Sequence, residues 1–218
     1  MPLPILVINP NSTEAVTAGI DHALEPLRIA GGPTIECVTL KDGPPGIETQ
    51  EHVDAVIAPV CALIEKRQDS ASAFIIACFS DPGLHQARDA TQKPVFGIAE
   101  SAMVTALTMG ERFGIISILE DSIPRHARAV QAAGLGERFA GDIAIGVNVA
   151  ELTGDDSILA RLVSAGRTLK DDHGAGVVIL GCAGMARHRK RSENALRIPV
   201  VDPTQAAATL AIGAVQLR

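Results

Sequence analysis

The sequence predicts an α/β protein of two pseudo-symmetric lobes, each built on a parallel sheet. Short apolar runs rich in β-branched residues alternate with stretches of helical period, the pattern of parallel strands joined by crossover helices. Four such runs in the first half of the 218-residue chain return in the second half, offset by about 105 to 110 positions. Cysteines close matching runs in the two halves, Cys78 after Phe74-Ile75-Ile76-Ala77 and Cys182 after Val177-Val178-Ile179-Leu180-Gly181.

The first run, Pro4 to Ile8, leads through Asn9-Pro10-Asn11-Ser12-Thr13 into a helix whose apolar face is Val16, Ile20, Ala23, Leu24 and Leu27. Asn11 is the expected N-cap, with Glu14 three residues on in a capping-box-like arrangement. A second strand, Thr34 to Leu40, precedes a helix with Val53, Ile57, Val60 and Ile64 on one face. Pro59 should kink or split that helix, because it lacks the N–H and its ring meets the carbonyl four residues back. Ala73 to Ala77 and Pro94 to Ile98 complete the first set. The second set is Phe113 to Ile118, Asp142 to Val149, Gly176 to Gly181 and Ile198 to Val201. Its helices are marked by Ile158, Leu159, Leu162, Val163 and Leu169, and by the Ala-rich segment Gln205 to Leu217. The punctuation also repeats: Pro94 lies 16 residues after Cys78, and Pro199 lies 17 after Cys182. Each lobe is therefore expected to be Rossmann-like (flavodoxin-like), with residues 1–97 plus 203–218 forming the lobe of Cys78 and 98–202 that of Cys182.

Composition closes off several functions. An apolar content of 47%, with five Phe and neither Trp nor Tyr, suits helix-covered parallel sheets. Lys and Arg number 19 against 25 Asp and Glu, and only Arg187 to Arg191 clusters cations, which argues against a nucleic-acid partner. No apolar stretch reaches the roughly 18 residues of a membrane helix, and no basic region precedes the apolar start, so a cytoplasmic protein without a membrane partner is expected. The cysteines at 37, 61, 78 and 182 show neither CxxC nor metal-finger spacing and should stay reduced. His85, His126, His173 and His188 lack ligand spacing, and no GxGxxG or GxxxxGKS cradle exists. Neither a metal nor a cofactor is expected.

Strand carboxyl ends are where α/β folds place their chemistry. Cys78 and Cys182 should emerge there, near helix amino termini whose N–H groups lower a thiol's pKa. Two thiols facing one crevice can take a proton from one face of a carbon and return one to the other, the chemistry of a cofactor-free racemase or epimerase. The N–H groups of Phe79, Ser80, Ala183 and Gly184 are the expected donors to the enolate oxygen. Asn11 should face the same crevice and touch substrate, and Ser117, from the equivalent loop, is a further candidate. Asp81 is expected to cap its own helix, Arg187 to Arg191 to form a solvated helix face, and Cys37 and Cys61 to lie in the core.

Four segments then carry a resemblance over nearly the whole chain. These are Ile8-Asn9-Pro10-Asn11-Ser12-Thr13, Ala77-Cys78-Phe79-Ser80-Asp81-Pro82-Gly83-Leu84, Gly97-Ile98-Ala99-Glu100-Ser101-Ala102-Met103 and Leu180-Gly181-Cys182-Ala183-Gly184-Met185. Together they resemble the hydantoin and allantoin racemase branch of the aspartate/glutamate racemase superfamily. The resemblance implies a site between two lobes, two-base catalysis by Cys78 and Cys182, a small-molecule substrate and homo-oligomeric assembly. Ser80 and Asn11 would add hydrogen bonds to a hydantoin ring.

Relatives of the resembling family differ after the cysteines. Glutamate racemases usually carry Asn-Thr and Thr-His there, whereas this chain has Phe79-Ser80 and Ala183-Gly184. Arylmalonate decarboxylases keep only the second cysteine. An amino-acid racemase or a maleate isomerase remains the alternative within the superfamily. A non-catalytic small-molecule-binding protein is the alternative of another class, and a redox sensor would require the sulfurs within disulfide reach.

Overall fold

The computed structural model describes residues 3–153 and 156–217, so Met1, Pro2 and Arg218 of the expected first lobe lie outside the described residues. Two four-stranded parallel sheets form its frame. The first contains β1 (Ile5–Asn9), β2 (Ile35–Thr39), β3 (Ala73–Ile76) and β4 (Val95–Gly97) in the order β2-β1-β3-β4. The second contains β5 (Phe113–Ser117), β6 (Phe139–Ala144), β7 (Val177–Leu180) and β8 (Val200–Val201) in the order β6-β5-β7-β8. The repeated strand order is the structural form of the repeated sequence pattern.

Each expected strand exists, with one displacement. The sixth was expected over Asp142 to Val149 and instead begins at Phe139. Gly146, at φ 67°, turns the chain in a way that favours glycine, and extended pairing has ended at Ala144. Ile145, Val147 and Val149 are still buried, which explains why their apolar alternation reads as a strand. Sheet alternation is plain in β1, where Ile5 and Val7 enter the core between the sheets and Leu6 and Ile8 pack on the opposite face with Val60 and Ile64. That central core includes Ile115, Val177 and Ile179 of the second sheet, so one apolar interior joins both halves.

The helices follow the expected periods. They are α1 (Glu14–Ala23), α2 (Gln50–Ala55), α3 (Ile57–Arg67), α4 (Leu84–Ala90), α5 (Ile98–Leu107), α6 (Ile123–Ala132), α7 (Asp156–Asp171), α8 (Arg189–Leu196) and α9 (Pro203–Gln216). The break between α2 and α3 falls at Val56, directly after the residue whose carbonyl the Pro59 ring would meet. Asn11 does not cap α1. Thr13 holds the N-cap position without a side-chain cap bond, while Asn11 Oδ1 accepts from Thr13 N at 3.0 Å. Two residues too early to reach the first turn, Asn11 shapes the loop instead.

α9 packs against α5, β3 and β4, and Gln205 Nε2 donates to Ala23 O at 2.7 Å. Both sheets reverse their direction of strand addition between the two central strands, β1 and β3 or β5 and β7. Such a switch point opens a crevice at the strand carboxyl ends.

Candidate active site

The two switch points share one crevice. Cys78 lies two residues past β3 and Cys182 two residues past β7, and both line it with Asn11, Phe79, Ser80, Ala183 and Gly184. The residue before Cys182 has to be glycine, since a Cβ on Gly181 would stand 2.7 Å from Ile116 O of β5. On the first side, Asp81 N donates to Cys78 O at 2.9 Å, closing the turn that carries the thiol.

Asp81 does more than close that turn, and it does not cap its own helix. The cap position of α4 belongs to Gly83, at φ 72°. The Asp81 carboxylate accepts from Ala99 N at 2.9 Å and Glu100 N at 2.8 Å, so it caps α5. Gly97 makes the approach possible, because a Cβ there would lie 2.2 Å from Asp81 Cγ. Burial pushes Asp81 up to about 7 against those two N–H groups.

The expectation of lowered thiol pKa values is overturned. Burial pushes Cys78 up to about 12 and Cys182 up to about 11. The N–H of Ser80 opposes the rise at Cys78, and that of Gly184 opposes it at Cys182, each through a backbone hydrogen bond to the sulfur. Those N–H groups thus face thiols in this state rather than an enolate oxygen. Cys78 lies six residues before α4, and Cys182 precedes a short 3-10 turn (Ala183–His188), so no long helix begins at either sulfur.

Asn11 lies on the crevice wall, held by Asn9. Asn9 Nδ2 donates to Asn11 Oδ1 at 3.0 Å and to Thr17 Oγ1 at 3.0 Å, while Asn9 Oδ1 accepts from Asn11 N at 3.2 Å. With its Oδ1 committed to Asn9 and Thr13, Asn11 keeps the Nδ2 donor for a ligand.

Ser117 corrects another expectation. It is fully buried in β5 and does not line the crevice. Its Oγ donates to Asp142 Oδ1 at 2.5 Å, and His126 Nδ1 lies 2.8 Å from Asp142 Oδ2 and 3.0 Å from Ser117 Oγ. Because the serine proton goes to the carboxylate, Nδ1–H is shared between Asp142 and Ser117, and Nε2 is the ring nitrogen left for the crevice. The His126 ring meets Phe79 edge-on, with centroids 5.0 Å apart.

Arg125 and His126 are site residues that sequence reasoning missed. Both start α6 and line the crevice. Their only local signal is Pro124 in the first turn of a helix; what brings them to Cys78 is the packing of one lobe on the other. Glu48 makes that junction: its carbonyl accepts from Arg125 Nη2 at 2.9 Å, and its Oε1 accepts from Val149 N at 3.0 Å.

A wider groove of about 580 Å³ adjoins the crevice and shares Val16, Val149 and Gly184 with it. The cationic run lies beyond, with Arg187 exposed at the groove and Arg189 paired to Glu193 at 3.3 Å on α8. Cys37 and Cys61 are outside the crevice and half-buried rather than fully in the core. All four cysteines are free thiols. Among the described residues, no cluster of His, Cys, Asp and Glu is arranged to hold a metal, and no helix is long and apolar enough to cross a membrane.

Comparison with known proteins agrees with this architecture. The family model described as Asp/Glu/Hydantoin racemase matches residues 5–211. A hydantoin racemase of Pseudomonas sp. (strain NS671) is 34% identical over 202 residues, covering 92% of this chain and 81% of that protein. A hydantoin racemase of Paenarthrobacter aurescens is 33% identical over 218 residues, covering 98% and 91%. The structure of allantoin racemase from Klebsiella pneumoniae superposes with a TM-score of 0.91 at 31% identity, covering 99% of this chain and 88% of that one.

Proposed function

The chain belongs to the Asp/Glu/hydantoin racemase family, and from that premise we propose that it racemises hydantoin-type rings, allantoin or 5-monosubstituted hydantoins, without a cofactor. Cys78 and Cys182 are the two bases. The observation that carries this reading is the placement of both thiols two residues beyond equivalent central strands on a single crevice.

One thiolate removes the proton from C5, the C–H electron pair passes into the adjacent C4 carbonyl, and a planar enolate results. The other thiol delivers its proton to the opposite face and becomes the thiolate, so the centre inverts and total charge is unchanged. The opposite enantiomer runs the same steps with the cysteines exchanged. Ser80 and Gly184 N–H groups hold whichever sulfur is ionised. The Asn11 amide and the remaining backbone donors of Phe79 and Ala183 meet the ring carbonyls. The adjoining groove receives the C5 substituent, and its mostly small lining from α1, Ala15, Ala18 and Gly19 among them, suits an alkyl or ureido group.

The test is proton exchange in D₂O. Purified protein is incubated with one enantiomer of allantoin and then of a 5-alkyl hydantoin, following optical rotation and deuterium at C5 against a protein-free control. Cys78→Ser and Cys182→Ser should each lose racemisation, while each can still exchange the proton of one enantiomer, opposite in the two variants. Full racemisation by either variant would refute the two-base assignment.

A further inference from the structure

The crevice holds a cation that the two-thiol chemistry leaves unassigned. Arg125 is half-buried at the start of α6 and lines the same crevice as Cys78. Its Nη1 donates to Asp121 O at 2.9 Å, and its Nη2 donates to Glu48 O at 2.9 Å and to Ser122 Oγ at 3.1 Å. All three acceptors are neutral. Among the described residues Arg125 joins no ion pair, unlike Arg28, Arg67, Arg88 and Arg189. Its buried Nε has no hydrogen-bond partner.

A guanidinium drawn partly out of water is costly when the one carboxylate acting on it, Asp121, is exposed and forms no ion pair with it, and so is an unmet buried donor. The neutral anchors fix its direction and compensate for little of its charge. Negative charge in this crevice arises during the reaction itself, on sulfur and on the enolate. We propose that Arg125 is a positioning residue of the proton transfer, its fixed guanidinium holding negative charge on the Cys78 side of the crevice. The inference rests on the two-thiol reading.

In the balanced step, Cys78 Sγ carries the charge before the C5–H bond breaks. The S–H bond forms, the electron pair enters the carbonyl, and the charge moves to the enolate oxygen. When the Cys182 S–H bond breaks and the new C5–H bond forms, the charge leaves on Cys182 Sγ. Arg125 favours the two states in which the charge lies nearer Cys78. The electrostatics of the site agree: burial raises the Cys78 thiol, Cys182 and Asp81 add to the rise, and the Arg125 charge works with the Ser80 N–H against it. No cationic side chain acts on Cys182, where Asp202 and Glu48 add to the rise.

The experiment reads thiolate directly, without substrate. In a Cys182→Ser background, alkylation of Cys78 by neutral iodoacetamide at pH 8 is timed by peptide mass spectrometry, with Cys37 and Cys61 in the same chain as references for intact folding. An opposite charge nearby moves a pKa by about 1 to 3 units. Because the Arg125 charge is the smallest of the influences on Cys78, Arg125→Met should slow Cys78 by up to about tenfold, the low end of that range, while both references keep their rates, and Arg125→Lys should restore most of the loss. With Cys182 present, Arg125→Met should lower kcat more than it raises KM.

An unchanged Cys78 rate in Arg125→Met overturns the inference, as does a rise in KM alone, which would make Arg125 a grip for an anionic substrate. If Arg125→Met disturbs the reference cysteines, the comparison moves to Arg125→Lys and Arg125→Gln, where a charge-independent rate refutes it equally. Racemisation by Cys78→Ser would instead bring down the two-thiol reading, whatever the alkylation rates.

Discussion

Gly97→Ala tests whether the Cys78 loop is held by the cap that Asp81 places on α5. A Cβ on Gly97 would lie 2.2 Å from Asp81 Cγ and 2.3 and 2.6 Å from its two oxygens, distances that atoms do not tolerate. The carboxylate must withdraw, and the bonds to Ala99 N at 2.9 Å and Glu100 N at 2.8 Å go with it. A lost helix cap costs about 0.5–2 kcal/mol, and hydrogen bonds to a charged group are worth about 1.5–3 kcal/mol each. The two descriptions overlap, so about 3 kcal/mol is expected, or a fall in Tm of roughly 6–12 °C for a chain of this size. Urea denaturation of four proteins measures it: the parent, Gly97→Ala, Asp81→Ala and the double variant. Removing Asp81 removes the obstacle, so Gly97→Ala should cost less than about 1 kcal/mol in the Asp81→Ala background, a coupling of about 2 kcal/mol. Strict additivity of the two substitutions would refute the reasoning.

Two further outcomes follow from the site. Before substrate binds, burial holds Cys78 at about 12 and Cys182 at about 11, so the thiolate fraction is small at neutral pH and grows as pH rises. Because kcat/KM reports ionisations of the free enzyme, it should climb about tenfold per unit from pH 7 to pH 9 above the protein-free rate, and a plateau by pH 8 would contradict this. Asp142→Ala strips Ser117 and His126 of their shared acceptor in a fully buried place, at a cost of about 3–5 kcal/mol, with Asp142→Asn milder because one acceptor remains. A loss below about 1 kcal/mol in the denaturation midpoint of Asp142→Ala would show that the network is not holding α6 against β5 and β6.

The lobes repeat their frame but not their chemistry. In each, a polar residue closes the first central strand, Asn9 in β1 and Ser117 in β5. Asn9 spends its bonds on the loop above it and so shapes Asn11 and the crevice wall. Ser117 bonds sideways within the second lobe, to Asp142 of β6 and His126 of α6. The same divergence appears beside the thiols, with both a carboxylate, Asp81, and a cation, Arg125, acting on Cys78 and carboxylates without a cation on Cys182. On the proposed two-thiol reading, such a site would treat the two faces of one carbon unequally.

By itself, the sequence determined the alternation of strand and helix, the duplication, the break that Pro59 imposes at Val56 and the emergence of two thiols past equivalent strands. These are legible because period, β-branching and proline act over a few residues, and because a repeat aligns Cys78 with Cys182. Only the tertiary structure decided what surrounds those thiols. Thiol ionisation depends on burial summed over both lobes, so the local expectation of lowered pKa values was reversed. Asp81 caps a helix 18 residues on, and Arg125 is aimed by a carbonyl 77 residues away. Ser117 could be placed at a strand end from sequence, but the buried partners that draw it off the crevice come from β6 and α6. Charge and hydrogen bonding act through space, across a lobe interface that no local spacing in the chain describes.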